Sequence, residues 1–485
     1  MRSSNPPETI VSIDIVRDHI EKTIFQLRPS HYHKQYPIWP GMVGIELEML
    51  ITDFTTLSGS HNLPSSVPLT GSDRSLIPVL RQLAEREGWQ SIYSNDQPPL
   101  ITKFDLNHQD TLTFEPGGQL EFSSRPYPCL QDAVKRLRSV QNILEEDLNM
   151  QGWQIIQMGI SPWHSPKDIG LQMDKPRYKA MDEYFNSIGP YGKRMMRQTC
   201  TIQTCLDFGD SETKMAKRYL ASQLLSPFAA AIFAYSPFKD GKTAGIPGFR
   251  SKIWRHLDSS RTGLTGIDRL STKPDKESCV SSYLDFVMNA RVVFTGNDYK
   301  IPPRKVSFAE WLSEAPNASG LPKPTRQDME THLSLLFPDV RPRGFLELRS
   351  MDCQARPWQI VPAAFTTGLL YDDQCLDQLL LRLLPLKDNM ETFRNFAEEG
   401  LRQASVAAVA GDLIQLASEG FRRLPKCFRG EGSEKALQKF AEHFTLQGKT
   451  PADEIDDLMS QSGKNFLTPS LLKKTEETWF SMLNS

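Results

Sequence analysis

The sequence predicts an α+β fold in which an antiparallel sheet packs against helices. Strand-like segments lie before residue 357, and the pattern becomes strongly helical from there onward. The connections between the strand candidates are too irregular for repeated βαβ units, which favours an antiparallel sheet over a doubly wound one. We therefore expect a single domain over residues 1–485, with a helix-rich C-terminal portion at 357–485.

Helices are predicted where apolar residues recur at helical spacing. The clearest is amphipathic and covers Asp132–Asn149, and a second, apolar on all sides, covers Tyr219–Tyr235. The other predicted helices cover Ile15–Leu27, Ser75–Arg86, Val361–Leu370, Cys375–Leu384, Glu391–Ser418 and Glu434–Phe444, with a last one near the C-terminus. A turn is predicted at 36–41, a long loop at 55–73, and a loop or hairpin at 313–328, from their turn-forming residues.

Four short segments show the apolar–polar alternation of half-buried strands. They are GIELEML, FEPGGQLEFS, TCTIQTCLDF and RGFLELRS, beginning at Gly44, Phe114, Thr199 and Arg343. In the first segment Ile45, Leu47 and Met49 share the predicted buried face. Glu46 and Glu48 share the opposite face, so that both carboxylates point the same way.

Carboxylates are concentrated on these polar faces. Any half-buried sheet alternates in this way, so for a single strand the polar residues are usually just the solvent-facing side of the sheet. Here the polar positions are mostly acidic, the acids occur on three separate strand candidates, and Gly117 and Gly118 precede Glu121. Glycine beside a strand often marks the close approach of a ligand or another backbone. These observations favour a functional face.

If the strands are neighbours, their acids share one surface. The candidates are Glu46, Glu48, Glu115, Glu121 and Glu347. Five carboxylates cannot stay close together and ionised without cations. Because Mg²⁺ prefers a few carboxylates together with waters and substrate phosphates, the pattern predicts a magnesium–nucleotide site. No Gly-x-x-x-x-Gly-Lys-Ser/Thr loop is present, so the site is not that of a P-loop enzyme.

Two basic segments complement the acids. One begins at Arg250 and includes Lys252, Arg255 and Arg261, and the other is 175–179. Isolated basic runs are most often solvated loops, whereas the functional alternative is recognition of carboxylate or phosphate, for which the arginine fork is well suited.

The composition is that of a globular protein and excludes several kinds of partner. Lys and Arg number 56 and Asp and Glu number 58, and this net charge of -2 argues against nucleic acid. The longest apolar stretch, Leu224–Tyr235, is too short to span a bilayer, and the N-terminus lacks an apolar signal region. Seven cysteines without a Cys-x-x-Cys pair favour a reducing, cytoplasmic location.

In their order, these segments resemble the plant-type glutamate–cysteine ligases and the related bacterial family, which includes the γ-glutamylcysteine synthetases of the ergothioneine pathway. The matching stretches run from Gly44 to Asp373 and are GIELEM, FEPGGQLEFSS, KPRYKAMDEYF, IGPYGKRMM, TCTIQTCLDFG, SPFKDGK, FRSKIWRHLDSSRTG, HLSLLFPDVRPRGFLELRSMD and GLLYDD. The resemblance implies a curved antiparallel sheet that carries the active site, with helices behind it, as in glutamine synthetase.

The resemblance also implies a reaction. ATP phosphorylates the γ-carboxylate of glutamate, and the amine of cysteine attacks the acyl phosphate to give γ-glutamylcysteine, the first step of glutathione biosynthesis. The implied partners are glutamate, cysteine and ATP, with Mg²⁺ as cofactor and with neither nucleic acid nor membrane. We expect a monomer or a homodimer.

Residue roles are carried over from the resemblance by position. The five glutamates named above look like the metal ligands, Arg349 faces the transferring phosphoryl group, and Arg250 clamps a substrate carboxylate, that of glutamate. The remaining matches are assigned to substrate or ATP binding, and they are Arg177, Tyr178, Gln203, Lys252, Trp254 and Arg261.

Two departures from the family pattern keep alternatives open. Cys205 stands where many relatives have Asn, and Gln198 stands where plant enzymes have Arg. A γ-glutamyl ligase with another amine acceptor, or one that serves ergothioneine synthesis, is therefore a second hypothesis. A third is a non-enzymatic protein that binds metal or a partner on the same scaffold. The region Lys300–Pro324 lacks the cysteine pair of the plant enzymes, so we expect no plant-style disulfide switch.

Overall fold

A ten-stranded antiparallel sheet lies at the centre of the part of the chain that the structure describes. The computed structural model describes residues 10–28, 40–58, 63–94, 99–107, 109–296, 298–313 and 321–485. The strands of the main sheet are β1 (Val43–Ser58), β2 (Leu63–Ser66), β3 (Gln90–Tyr93), β4 (Ile101–Leu106), β5 (Asp110–Phe114), β6 (Leu120–Ser123), β7 (Trp153–Ile156), β8 (Ile202–Leu206), β13 (Val340–Pro342) and β14 (Leu346–Leu348). Two small sheets contain β9 (Phe238–Lys239), β10 (Lys242–Thr243), β11 (Thr262–Gly263) and β12 (Phe337–Pro338).

Strand β1 organises this sheet because it pairs with four other strands. The main order is β13–β14–β8–β1–β6–β5–β4–β3, in which the first half of β1 lies between β8 and β6. The second half of β1 pairs instead with β2 and β7. One long strand therefore changes neighbours along its length, and this joins the strands of the site to a second part of the sheet.

Helices surround the sheet and make up most of the C-terminal portion. In chain order they are α1 (Ile13–His19, continued by a π-helix at Ile20–Ile24), α2 (Leu76–Glu87), α3 (Leu130–Met150), α4 (Pro166–Ile169), α5 (Pro176–Ile188), α6 (Gly192–Gln198), α7 (Glu212–Ile232), α8 (Phe249–Arg255), α9 (Lys276–Asn289) and α10 (Phe308–Ser313). They continue with α11 (Arg326–Ser334), α12 (Val361–Leu370), α13 (Asp373–Leu383), α14 (Met390–Phe396), α15 (Ala404–Arg423), α16 (Lys426–Arg429), α17 (Ser433–His443), α18 (Pro451–Gln461) and α19 (Pro469–Asn484).

The burial pattern confirms the predicted alternation on β1. Ile45, Leu47 and Met49 are buried in the core, whereas Glu46 and Glu48 lie on the opposite, half-buried face. Apolar side chains on one face of a strand lose their contact with water when helices cover that face. The acids are left facing a cavity on the other side.

Several predicted boundaries change in the structure. The loop predicted at 55–73 is wrong in part, because β1 continues to Ser58 and β2 follows. The long helix predicted over Glu391–Ser418 is interrupted between α14 and α15, where Gly400 has a φ of 58°, a left-handed conformation that favours glycine. Most of the turn predicted at 36–41 and residues 314–320 of the loop predicted at 313–328 lie outside the described residues, although the end of that loop is the start of α11.

Helices α12 and α15 cross at a pair of glycines. A methyl group added to Gly420 would lie 2.0 Å from the carbonyl oxygen of Gly368, and one added to Gly368 would lie 2.2 Å from that of Ala417. Only glycine allows the two backbones to approach this closely. A methyl group added to Gly411, on the same helix α15, would meet only the side chain of Leu446, at 3.9 Å.

We predict that Gly420→Ala lowers the free energy of unfolding by about 1–3 kcal/mol, since it forces α12 and α15 apart. Gly411→Ala is the matched control and is expected to raise stability by about 0.5–1 kcal/mol, because alanine restricts the unfolded chain and has room here. Denaturant unfolding of both variants measures the difference. Equal effects at the two positions would contradict the close crossing.

The C-terminal helix carries a half-buried acid. Burial raises the pKa of Glu476 on α19 to about 7, and the nearby carboxylate of Glu145 adds to the effect, while Arg356 opposes it. Glu477, the next residue, is exposed.

We predict that Glu476→Gln stabilises the protein at pH 8 and not at pH 4. A carboxyl group whose folded pKa is raised loses its contribution to stability as the pH rises from its unfolded value through about 7. The gain of the glutamine variant therefore grows over that interval to about 1–2 kcal/mol and is constant above it. Unfolding free energies across the pH range measure it, with Glu477→Gln as the control, and a gain that does not change with pH would refute the assignment.

Candidate active site

The polar face of the sheet forms the floor of a cavity of about 360 Å³. Among the described residues, its wall holds acids and arginines, and they are Glu46, Glu48, Glu115, Glu121, Arg177, Arg250, Arg341, Arg343 and Arg349. Tyr178, Gln203 and Trp254 also line it. Both signs of charge therefore meet in one cavity, and most of the residues predicted from the sequence lie there.

Strand register brings the acids together. Glu48 on β1 pairs directly with Glu121 on β6. Glu46, two residues earlier, lies opposite Gln203 on β8. Side chains of directly paired residues on one face of a sheet are close neighbours. The like-charged pair of Glu48 and Glu121 is thus fixed by backbone pairing rather than by attraction.

Glu115 joins this group from a turn and not from a strand. Strand β5 ends at Phe114, and the chain turns back to β6 through Pro116, Gly117 and Gly118. A methyl group on Gly117 would lie 2.4 Å from the Cα atom of Arg197. The predicted close approach at this glycine is confirmed, and the partner is the backbone that leads into β8.

The carboxylates of Glu48, Glu115 and Glu121 form a cluster in which one oxygen of each lies within 4.8 Å of the others. Burial raises the pKa of Glu48 well above its usual range, and the charges of the other two acids add to this. Burial and the charge of Glu121 raise the pKa of Glu115 to about 7. Ionising all three side chains of this carboxylate cluster is electrostatically unfavourable, because their charges repel at short distance.

Hydrogen bonds hold the cluster in place. The backbone N–H of Thr201 donates to Glu48 at 2.8 Å. The hydroxyls of Thr113 and Ser123 both donate to one oxygen of Glu121, at 2.9 and 3.0 Å. These donors leave other carboxylate oxygens free to face the cavity. A set of three oxygen ligands in a polar cavity fits a hard divalent cation such as Mg²⁺.

Glu46 lies beside the carboxylate cluster and outside it. Burial, followed by the charges of Glu347 and Glu121, raises its pKa to about 8. The thiol of Cys205 lies 3.9 Å from one of its oxygens. Cys205 is also the cross-strand partner of Gly44, where a methyl group would lie 3.1 Å from the Cβ atom of the cysteine. Cys205, which departs from the family pattern, therefore lies next to Glu46 in the cavity wall.

Glu347 is fully buried, and the structure does not bring it into the carboxylate cluster. Arg341 donates to both of its oxygens at 2.7 Å, and Arg349 donates to one of them. Burial alone would raise the pKa of Glu347, but the two guanidinium groups lower it to about 2. Arg349 also donates to Gln203 at 2.8 Å. The bonds of Glu347 orient two cavity arginines.

Two backbone carbonyls and a carboxylate fix the guanidinium of Arg250. Its guanidinium donates to the backbone carbonyls of Arg349 and Ser350 at 3.0 and 3.2 Å, and it lies 3.5 Å from Asp352. The ring of Trp254, one turn further along α8, lies 5.8 Å from the guanidinium.

Arg177 and Tyr178 approach the cavity from the start of α5. Arg177 donates to Ser334 at 2.8 Å. Burial, followed by the charge of Glu115, raises the pKa of Tyr178 to about 12. The phenol therefore stays protonated and can donate a hydrogen bond at neutral pH.

Lys252 and Arg261 do not line the cavity, which corrects the sequence prediction. Lys252 lies two residues from both Arg250 and Trp254 on α8, so it points to another side of the helix, where it bonds Glu398 at 3.2 Å. Arg261 is fully buried and donates to Asp258 and to the carbonyl of Leu335, both at 2.9 Å. Its role is to support the loop that follows α8.

Sequence reasoning missed Arg341 and Arg343. Both precede β14 in a hairpin in which Arg341 pairs with Glu347. The predicted strand segment beginning at Arg343 offered a signal for that residue, since Arg343, Glu347 and Arg349 are spaced by even numbers of residues, whereas Arg341 lies on the other strand of the hairpin and carried none. Ser334 and Phe337, also in the cavity wall, come from α11 and β12 and carried no such signal.

Comparisons with known proteins identify the family of the chain. The family model described as glutamate–cysteine ligase family 2 matches residues 42–467. A chloroplastic glutamate–cysteine ligase from Medicago truncatula is 32% identical over 394 residues, which are 78% of this chain and 73% of that protein. Glutamate–cysteine ligase B, chloroplastic, from Oryza sativa subsp. japonica is 30% identical over 413 residues, which are 81% and 77% of the two chains.

A solved structure shares the fold. The crystal structure of a glutamate–cysteine ligase from Francisella tularensis in complex with AMP aligns with a TM-score of 0.51 and 13% identity, covering 92% of this chain and 93% of that chain. The predicted fold, an antiparallel sheet with packed helices of the glutamine synthetase-like kind, is confirmed. No helix in the described ranges has both the length and the apolar character needed to cross a membrane.

The family model covers most of the chain, and the glutamate–cysteine ligases from Medicago and rice align with more than two thirds of it. The chain belongs to glutamate–cysteine ligase family 2 and is an enzyme of the ligase class.

Proposed function

We propose that this protein joins the γ-carboxylate of glutamate to the amine of cysteine at the expense of ATP, giving γ-glutamylcysteine, ADP and phosphate. The observation that carries the proposal is the carboxylate cluster facing several arginines in one cavity of a chain that belongs to this ligase family. ATP, glutamate and an acyl phosphate are all anionic, and such a cavity offers both arginines and a place for cations.

Glu48, Glu115 and Glu121 would hold Mg²⁺, with Glu46 beside them. The bound ion would neutralise charge on the ATP phosphates and on the phosphoryl group in transfer. Without a metal ion, burial and mutual repulsion raise the pKa values of Glu48 and Glu115. A bound divalent cation would favour their ionised forms.

The arginines act on the phosphoryl group and on the substrate carboxylate. Arg349, fixed by Glu347 and Gln203, stabilises the charge that develops as phosphate moves from ATP to the γ-carboxylate. Arg250, preorganised by two backbone carbonyls, binds the α-carboxylate of glutamate. The acceptor nitrogen then forms the amide bond, and phosphate leaves with the electrons of the carbon–oxygen bond. No protein nucleophile is required.

Glu347 has a different proposed part in this mechanism. Because Arg341 and Arg349 occupy its oxygens, we assign it the orientation of these arginines in place of direct metal binding. Removing one partner of a buried ion pair leaves the other charge uncompensated and strongly destabilises the fold around it.

A second candidate is a γ-glutamyl ligase that uses another amine acceptor. Cys205 favours it, since this thiol stands beside Glu46 where many relatives of the family carry an amide. Use of the product in glutathione or ergothioneine synthesis, a cytoplasmic location and the monomeric or dimeric state stay predictions from the sequence.

Phosphate release by the purified protein tests the proposal. Release is expected only when glutamate, cysteine, ATP and Mg²⁺ are all present, with γ-glutamylcysteine formed in equal amount and detected by mass spectrometry. Release with other amines but not with cysteine would move the assignment to the second candidate. Release without glutamate would overturn both.

We predict that Glu121→Gln lowers kcat by at least about a hundredfold while the fold is kept, because the cluster loses a ligand charge but keeps its shape. Glu85→Gln, on the exposed side of α2, is the matched control and should retain full activity. Steady-state phosphate release measures both. A Glu121→Gln enzyme with wild-type kcat would remove Glu121 from the metal site.

Metal binding has a readout that does not depend on activity. We predict that saturating Mg²⁺ raises the unfolding temperature of the wild type by about 1–3 °C, because the ion binds only the folded carboxylate cluster. Glu48→Gln should lose this shift, and Glu85→Gln should keep it. Scanning calorimetry with and without Mg²⁺ makes the comparison, and an unchanged shift in Glu48→Gln would place the ion elsewhere.

A further inference from the structure

Tyr371 belongs to GLLYDD, a stretch of the family resemblance that lies outside the candidate active site. It follows directly after α12, and only 4% of it is exposed. Its hydroxyl accepts a hydrogen bond from the backbone N–H of Asp207 at 2.8 Å and donates one to the backbone carbonyl of Met42. The phenol thus joins the residue after β8 to the residue before β1.

The hydroxyl takes the place of a direct hydrogen bond between the two strands. The β1–β8 register, continued one pair beyond Val43 and Leu206, puts Met42 opposite Asp207. In an antiparallel ladder every second pair exchanges backbone hydrogen bonds. Glu48 belongs to such a pair, since its N–H donates across the ladder at 3.0 Å, and Met42 is an even number of residues away from it. The pair of Met42 and Asp207 is therefore a hydrogen-bonded position that the phenol bridges.

The side chain of Asp207 closes the other half of this pair. Its buried carboxylate accepts a hydrogen bond from the backbone N–H of Met42 at 2.7 Å and forms an ion pair with Arg28. Both hydrogen bonds of the pair therefore run through a side-chain oxygen. The spacing of β1 and β8 at this end depends on these two side chains and not on direct backbone contact.

The phenol itself is fixed from several sides. The guanidinium of Arg218, on α7, lies 4.5 Å from the centre of its ring and donates to the carbonyl of Asp207 at 3.0 Å. A methyl group added to Gly41 would lie 2.8 Å from the hydroxyl oxygen, so glycine makes room for it. Burial and the charge of Asp207 raise the pKa of Tyr371 well above its usual range. The hydroxyl therefore stays protonated and keeps its hydrogen bond to the carbonyl.

The opposite end of the same ladder carries an acid of the carboxylate cluster. There the backbone N–H of Thr201 donates to the carboxylate of Glu48 at 2.8 Å. Glu46 lies between the two ends of the ladder, opposite Gln203. A change in the spacing of β1 and β8 moves these side chains together, because backbone pairing sets their places.

We propose that Tyr371 is a positioning residue for the metal-binding acids, because its hydroxyl sets the end of the β1–β8 ladder that holds Glu46 and Glu48 in place. This inference rests on the proposed function, which assigns these acids to Mg²⁺. Tyr371 is not among the described residues of the cavity wall. It acts through the two strands and not by contact with a substrate.

The test removes the hydroxyl with Tyr371→Phe and keeps the ring against Arg218. The free Mg²⁺ concentration for half-maximal phosphate release is expected to rise about three- to tenfold, as for other residues that support metal ligands without binding the metal. KM for glutamate should change less than about twofold, because its carboxylate is assigned to Arg250 on a different element. Calorimetry without substrates gives a second readout. At one fixed Mg²⁺ concentration, the rise in unfolding temperature should be smaller than in the wild type, because it depends on the ratio of Mg²⁺ to its Kd.

Tyr235→Phe is the matched control. Tyr235 is fully buried as well, and its hydroxyl has no hydrogen-bond partner in the described part of the chain. This variant should change neither the Mg²⁺ requirement nor the calorimetric shift. The same Mg²⁺ requirement in Tyr371→Phe and Tyr235→Phe would overturn the inference. A lower kcat in Tyr371→Phe with an unchanged Mg²⁺ requirement and calorimetric shift would also overturn it, since a purely structural role gives that result.

The two readouts separate this inference from the function on which it rests. A wild type that releases no phosphate and still shows the Mg²⁺ shift would overturn the proposed function, while calorimetry would still decide the role of Tyr371. If Tyr371→Phe does not fold, Asp207→Asn disturbs the same pair of residues, because it keeps an oxygen for Met42 but loses the charge that holds Arg28. It should raise the Mg²⁺ requirement at least about twofold, and an unchanged requirement would refute the inference.

Discussion

The close packing of carboxylates on one face of a sheet is the constraint on which the site depends. Glu48 and Glu121 face each other because the backbones of β1 and β6 are paired, and Glu115 is added by the turn between β5 and β6. Like charges at such distances repel, and burial makes that repulsion stronger. The fold therefore stores an unfavourable arrangement that a divalent cation would relieve.

The arginines show the opposite arrangement, in which each charge has a fixed partner. Glu347 lies under Arg341 and Arg349 and aims both at the cavity. Backbone carbonyls do the same for Arg250. Side chains held in this way lose little freedom when an anion arrives, which is the basis of electrostatic preorganisation. The carboxylate cluster keeps a repulsion that a cation would relieve, whereas the arginines are already held by fixed partners.

How far the sequence predicted the site depends on the kind of local structure. Alternation on β1 correctly placed Glu46 and Glu48 on one face, because strand geometry repeats every two residues whatever the neighbours are. The segment of Arg250 was assigned from its family motif without any periodicity, and the structure shows it as the short helix α8. There Arg250 and Trp254 share a face and Lys252 does not, since the helical period is different. Arg261 was grouped with them because it lies in the same family motif, which says nothing about the direction of its side chain.

The sequence by itself determined the acidic face, the antiparallel α+β class and, through the order of its motifs, the resemblance to a ligase family. These properties follow from local periodicity and from residue identity, which need no knowledge of distant contacts. Only the tertiary structure decided which acids meet. Glu347 is paired with Arg341 and Arg349, whereas Glu115 lies in a turn and joins the cluster with Glu48 and Glu121. The reason is physical: distances of a few ångströms are set by the register between strands far apart in the chain and by the counter-charges packed against each group.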